Sequence, residues 1–322
     1  MQAAPQGDVS WSVLSRIAGS WAGDAEELAA VRPLLGGCIN TVLELLMKDG
    51  QKAVLKICPH RVTQAYAHEA AQLQLLRTLG LPVPRVYECQ VGSLDDPFSY
   101  ILMEHLPGMD LGAAKRACTP EQFDQLQSHL AELVLAMHAH TADAYGRVQH
   151  ADPAAAPETA AATATGTCWS SFFAAVHEPT LRDIEKSPLL PPRCRRHLRK
   201  IHQKLERTLP DGDRPRLVHW DLWSTNLLAA PDAAGHWRIT GILDPNCKYA
   251  HPEADLAYLD LFHTATPAFF HTYQQQRKLP PEYHRVRKPV YQLYTLVNHV
   301  HLFGAAYVKP VMAAVDRVTA LV

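Results

Sequence analysis

The chain has 322 residues, of which 47 % are hydrophobic and 20 % charged, so a sizeable folded core is expected and global disorder is excluded. Lys plus Arg number 31 against 32 for Asp plus Glu, a net charge of −1. No basic excess exists to neutralise a phosphate backbone, so no nucleic-acid partner is expected.

No run approaches the length of apolar sequence that a membrane-spanning helix needs, so no membrane partner is expected. The opening MQAAPQGDVSW lacks a basic stretch followed by an apolar core, so no secretory signal is expected. Cysteines stand at Cys38, Cys58, Cys89, Cys118, Cys168, Cys194 and Cys247, an odd, scattered set without a CxxC pair. Such a set favours a reduced, cytoplasmic protein.

In chain order, the first third reads mostly as strands. Asp49-Gly50 separates two apolar runs and predicts an antiparallel hairpin of Thr41–Met47 with Lys52–Ile57, with an earlier strand near Val31–Leu35. Helical spacing covers Val62–Leu79 and stops at Gly80. Leu81-Pro-Val-Pro forces extended backbone before Arg85–Gln90, and Tyr100–Leu106 reads as a further strand. Pro107-Gly108 marks a boundary, giving domains 1–106 and 107–322. Beyond it helices dominate. Thr119, Pro120 and Gln122 form a helix start that runs to Ala139. Ala151–Thr167, biased to Ala, Thr and Pro, reads as a poorly ordered loop. Helices are expected at Ser170–Glu185, Arg193–Thr208, Glu253–His263, Ala268–Gln276, Tyr283–Phe303 and Ala305–Ala320. Short strands are expected at Arg216–Val218, Leu227–Leu228 and Trp237–Leu243.

Four features carry chemistry. Gly36-Gly37-Cys38-Ile39-Asn40 lies between two predicted strands, where paired glycines let backbone N–H groups approach a ligand; an ordinary glycine turn is the alternative. Lys56 sits in the apolar AVLKI, and Glu69 follows on the next helix. A Lys–Glu pair would hold the ammonium toward nucleotide phosphates, whereas a solvent-facing lysine and a surface glutamate is the bland reading. In HWDLWSTN, Asp221 ends a strand and suits the acceptance of a hydroxyl proton. Asn226, five positions later, suits a metal held against phosphate, and an Asx-stabilised turn is the alternative. Asp244, in Ile-Leu-Asp-Pro, offers a hard oxygen donor for Mg²⁺.

The order GGCIN, VLKI, the Glu69 helix, HWDLWSTN, LDPNCKYAHPEADLAYLDLF and YQLYTLVNHVHLFGAAY resembles the fructosamine kinase family over residues 10–320. That family belongs to the aminoglycoside phosphotransferase and choline kinase-like branch of the protein-kinase-like fold. The resemblance implies an α+β, bilobal fold, with a small antiparallel-sheet N-lobe and a large, mainly helical C-lobe. It implies an enzyme that moves the γ-phosphoryl group of Mg-ATP to O3 of a fructosamine or ribulosamine, free or on a glycated protein, and so initiates protein deglycation. Under it Gly36, Gly37, Cys38, Ile39 and Asn40 cover the nucleotide, and Lys56 holds ATP phosphates, braced by Glu69. Met103, Glu104, His105 and Leu106 form the adenine-facing hinge. Asp221 is the base, Asn226 and Asp244 bind Mg²⁺, and Asp255 stabilises the catalytic loop. Trp223, with His299 and His301, lines the acceptor pocket. Cys38 resembles a redox-sensitive family position, which leaves a monomer or a redox-sensitive dimer open.

One departure stands out. The family usually carries glycine before the catalytic aspartate, and here Trp220 occupies that position. Two alternatives follow: a kinase of another amino sugar or specialised metabolite, and a nucleotide-binding pseudokinase with a regulatory role. The 18 histidines suggest no zinc site, because His138/His140 and His299/His301 each point to different helix faces and HExxH is missing. The basic run Arg193–Arg199 reads as a solvated helix face, and docking of an anionic or protein-bound substrate is its alternative.

Overall fold

A computed structural model of the chain describes residues 9–23, 27–34, 41–58, 63–150, 160–209 and 213–322. Helix α1 (Trp11–Ala22) precedes β1 (Leu28–Pro33), β2 (Thr41–Met47) and β3 (Lys52–Cys58). Next come α2 (Ala65–Thr78), β4 (Val86–Gln90), β5 (Ser99–Glu104) and β6 (Met109–Asp110). Helices α3 (Leu111–Ala117) and α4 (Pro120–Ala139) lead to β7 (Tyr145–His150) and β8 (Ala160–Gly166). Then follow α5 (Trp169–Lys186), α6 (Pro192–His202), α7 (Leu205–Thr208) and β9 (Arg216–Val218). Strands β10 (Leu227–Pro231), β11 (Trp237–Ile242) and β12 (Lys248–Ala250) come next. Helices α8 (Glu253–Leu261), α9 (Pro267–Gln276), α10 (Lys288–Phe303) and α11 (Val308–Thr319) complete the chain. Two compact units emerge. The first contains Met1–Arg116, Gln149–Ala161 and Thr225–Pro245; the second contains Ala117–Val148, Ala162–Ser224 and Asn246–Val322.

The first unit is built on an antiparallel sheet in the order β1-β2-β3-β5-β4. The hairpin expected from Asp49-Gly50 pairs Thr41 with Ile57 and Leu46 with Lys52. Gly50 takes φ +89, a turn conformation that costs glycine little. Against the sheet's Leu43, Leu45, Leu55 and Ile57 packs α1, through Leu14, Ile17 and Ala18. Helix α2 packs on β4 and β5. A second sheet, in the order β11-β10-β6, supports the Pro107-Gly108 turn. There a side chain on Gly108 would meet Thr240 Oγ1 at 2.8 Å and the Ala229 carbonyl at 2.9 Å, so only glycine fits.

The second unit is mainly helical. Helix α4 starts with the expected capping box, Thr119 accepting from the Gln122 N–H and Gln122 reaching back to the Thr119 N–H. It packs on α9, while α10 packs on α5, α8 and α11. The core between these helices holds Trp169, Phe172, Phe173, Tyr291, Tyr294 and Val297. A small sheet, β8-β7-β12-β9, completes the unit.

Several expectations are corrected. The first third contains α1 as well as strands, capped by Ser10 and ended by Gly23 at φ +87. The early strand expected near Val31–Leu35 starts sooner, at Leu28, and runs to Pro33, with Leu35 outside the described residues. Of the expected loop Ala151–Thr167, residues 160–166 are strand β8, and 151–159 lie outside the described residues. The expected helix Arg193–Thr208 breaks into α6 and α7. The helix expected from Tyr283 begins at Lys288, after a π-turn at Tyr283–Arg287. Pro289 has no N–H to close an α-helical bond to Arg285, so the wider turn precedes the regular helix.

Candidate active site

Lys56 lies on β3, a central strand flanked by β2 and β5. Its side chain is buried, and its Nζ donates to Glu69 Oε1 at 2.5 Å and to Asp244 Oδ1. The sequence left open whether Lys56 was paired or faced solvent; the structure pairs it twice. Burial works against the Lys56 charge, and Glu69 and Asp244 overcome it, holding the amine above its ordinary value. Burial likewise pushes the Glu69 carboxyl up, against the pull of Lys56. One ammonium thus faces two carboxylates. The cluster carries one more negative than positive group, and the Asp244 side chain is 42 % exposed. That combination suits a cation arriving from solvent.

The β10–β11 hairpin supplies Asp244. Leu227 pairs with Ile242, and the Leu243 N–H donates to the Asn226 carbonyl at 2.9 Å. Asn226 and Asp244 therefore share one end of the hairpin. Asp244 takes φ +54, a left-handed conformation that aspartate tolerates better than most non-glycine residues. Among the described residues no group of three or more His, Cys, Asp or Glu side chains suits a metal ion. An amide oxygen and one carboxylate are still a fitting donor pair for Mg²⁺, which keeps several waters and substrate phosphates as ligands.

The hinge expected at Met103–Leu106 closes β5. Met103 is buried and pairs with Val54, while the Glu104 N–H donates to the Arg85 carbonyl at 2.9 Å. His105 lies 3.2 Å from the buried Glu44, which also meets Lys52 at 3.0 Å. The Thr240 hydroxyl donates to the Pro107 carbonyl at 2.7 Å, tying the segment after Leu106 to β11. Gly36, Gly37, Cys38, Ile39 and Asn40 lie outside the described residues.

In the second unit the His219–Asp221 segment is organised by Asp255, on the first turn of α8. Its buried carboxylate accepts from the His219 N–H at 2.7 Å and the Trp220 N–H at 2.8 Å. His138 Nε2 lies 3.5 Å away, and its Nδ1 meets the Tyr273 hydroxyl at 2.9 Å. Burial opposes the Asp255 charge, but these hydrogen bonds and His138 hold the carboxyl below its ordinary value. Asp221 follows, half-buried, with its N–H donating to His219 Nδ1 at 3.3 Å. The Tyr258 hydroxyl donates to Asp221 Oδ1. Burial, then the Asp221 carboxylate, raise the Tyr258 hydroxyl above its ordinary value, so it stays a proton donor.

Trp223 is half-buried two residues beyond Asp221. His299 and His301 are not brought together. His299 sits among Phe262, Phe303 and Tyr307, at ring distances of 5.0, 5.4 and 4.9 Å. His301 is exposed, 4.0 Å from Asp183. Sequence reasoning missed Tyr258 and Lys248. Tyr258 was discoverable, because it lies three residues after Asp255 on the same helix and shares its face. Nothing in the sequence marked Lys248 as buried.

Three comparisons bear on this geometry. The fructosamine kinase family pattern matches residues 10–320. A probable ketoamine kinase of Klebsiella aerogenes is 28 % identical, covering 95 % of this chain and 99 % of that protein. A probable ketoamine kinase of Escherichia coli is 27 % identical, covering 96 % and 99 %. Among solved structures, a candidate fructosamine-3-kinase from Thermobifida fusca superposes with a TM-score of 0.74 at 24 % identity, covering 97 % of this chain and 100 % of that one. Wild-type aminoglycoside 2'-phosphotransferase-IIIa, solved with GDP, gives a TM-score of 0.63 at 19 % identity, covering 95 % and 97 %. These neighbours show the kinase-like fold: an antiparallel-sheet N-terminal region followed by a mainly helical remainder. With residues 10–320 matched, the chain is a small-molecule kinase that belongs to the fructosamine kinase family.

Proposed function

We propose that the chain moves the γ-phosphoryl group of Mg-ATP to a sugar hydroxyl, O3, of a fructosamine or ribulosamine. The observation that carries this reading is the Lys56–Glu69–Asp244 cluster. A lysine held charged by two carboxylates, one of them partly exposed, is a ready partner for a metal-bound triphosphate. Lys56 contacts phosphate oxygens, and Glu69 fixes the direction of its amine. Asn226 and Asp244 would hold Mg²⁺, which when bound would neutralise charge on the phosphates. Backbone groups of Met103–Leu106 would meet the adenine.

Asp221 accepts the proton as the acceptor oxygen bonds to the γ-phosphorus and the bond to the ADP oxygen breaks. The Tyr258 hydroxyl donates to one carboxylate oxygen, which leaves the other for that proton. Trp223 and His299 line the acceptor side, where an aromatic face suits the open sugar–amine. The acceptors are ketosamines, free or on glycated proteins of the cytoplasm.

Replacing Asp221 with Asn tests the reading. Turnover on a fructosamine is expected to fall by about 10²–10⁴-fold, the usual contribution of a positioned base. ATP affinity, measured by calorimetry, is expected to stay unchanged. Wild-type turnover in the variant would remove Asp221 from the mechanism.

A further inference from the structure

Trp220 occupies a backbone conformation, φ +69, that ordinarily calls for glycine. Its indole is half-buried and partnered on several sides. Trp169 and Phe173 lie at ring distances of 6.4 Å, and His177 stacks at 6.1 Å. The Lys248 amino group sits 4.4 Å from the centre of the Trp220 ring.

Lys248 is unusual in its own right. It is 1 % exposed, on the short central strand β12. Among the described residues its hydrogen-bond acceptors are the two oxygens of Asn246, the carbonyl at 2.9 Å and Oδ1 at 3.1 Å. A buried amine so far from water is costly unless its surroundings offset the loss. The electron-rich indole face and the Asn246 oxygens offset only part of that loss. Burial also pushes the Lys248 amine well below its ordinary value.

These contacts close a circuit around the residue before Asp221. The Asn246 N–H donates to the His219 carbonyl at 3.1 Å. The His219 and Trp220 N–H groups donate to Asp255. Lys248 grips the same turn twice, through Asn246 on the His219 side and through the indole on the Trp220 side. We propose that Lys248 and Trp220 form a coupled positioning pair: the amine clamps the His219–Trp220 turn and so fixes the direction in which Asp221 leaves it. The pair lets this chain carry a bulky residue at a left-handed position without loosening the loop. The inference rests on Asp221 serving as the base.

A double-mutant cycle on phosphoryl transfer from Mg-ATP to a fructosamine tests it. Lys248→Met keeps the length of the side chain without its donors. Trp220→Leu keeps the backbone strain without the aromatic face, and Trp220→Phe keeps an aromatic face. Asp221→Asn runs alongside. Each single loss is expected to lower kcat about tenfold, with KM for ATP and acceptor within about twofold. The double variant is expected to be no worse than the poorer single variant, and Trp220→Phe is expected to recover most of the kcat lost in Trp220→Leu. Multiplicative effects in the double variant would overturn the coupling. So would wild-type kcat in both single variants beside an inactive Asp221→Asn. Should Lys248→Met fail to fold, equal kcat for Trp220→Leu and wild type would overturn the proposal on its own. An active Asp221→Asn would instead overturn the assignment of the base, which separates the two failures.

Discussion

The carboxylates around Lys56 and the carboxylate of Asp255 are handled in opposite ways. Glu69 and Asp244 share one ammonium, and Asp244 remains 42 % exposed on its side chain. Asp255 is wholly buried and answered by two backbone N–H groups and His138. The first cluster keeps an excess of negative charge, which a bound cation can complete. The second is already complete, so it fixes backbone. A charged group left under-answered marks a place for a ligand, and one fully answered marks a support.

Breaking the first cluster should disturb catalysis more than folding. In Lys56→Ala, kcat/KM for ATP should fall about 10²-fold. Folding should suffer less, because without Lys56 the buried Glu69, whose carboxyl burial already pushes up, can take up a proton rather than keep a bare charge. Steady-state kinetics beside denaturant unfolding would separate the two, and a collapse of stability with normal kinetics would reverse the contrast. Breaking the second should do the opposite first. Asp255→Asn cannot accept both N–H bonds as a carboxylate does, and should cost about 2 kcal/mol of stability in urea unfolding.

A smaller effect comes from pH. Burial lowers His251 from its ordinary 6.5 to about 4. The unfolded chain therefore binds a proton between those values that the folded chain does not. Stability contributed by the neutral ring is whole above about pH 6.5 and declines as pH falls toward about 4. His251→Asn should flatten that decline in unfolding measured across the range, and an unchanged slope would exclude His251 as a source. The smallest effect lies outside both clusters. Thr119→Ala removes the cap of α4 and should cost ~1 kcal/mol, with kinetics untouched.

Much of this was legible before any coordinates. Asp49-Gly50 announced its hairpin, and Thr119-Pro120-Glu121-Gln122 announced a helix start, because both signals are local. The helix at Trp11–Ala22 was equally local, with Ser10, Gly23 and the spaced Leu14, Ile17 and Ala18, yet the surrounding strands obscured it. Strand β12 has three residues and exists only through its neighbours β7 and β9, so no local pattern marks it. The chemistry divides in the same way. Lys56, Glu69, Asp221, Asn226, Asp244 and Asp255 each stand in a motif. Their pairings are long-range: Asp244 reaches Lys56 from 188 positions away. Trp220 looked like an isolated departure until Lys248 was seen beneath its ring.

The most direct test is mass-resolved transfer from Mg-ATP to a panel holding a fructosamine, a ribulosamine, a glycated peptide, an aminoglycoside and choline. The account predicts a single added phosphoryl group on the ketosamines, located at O3 by phosphorus–proton NMR. Phosphorylation of the aminoglycoside or choline with the ketosamines untouched would contradict it.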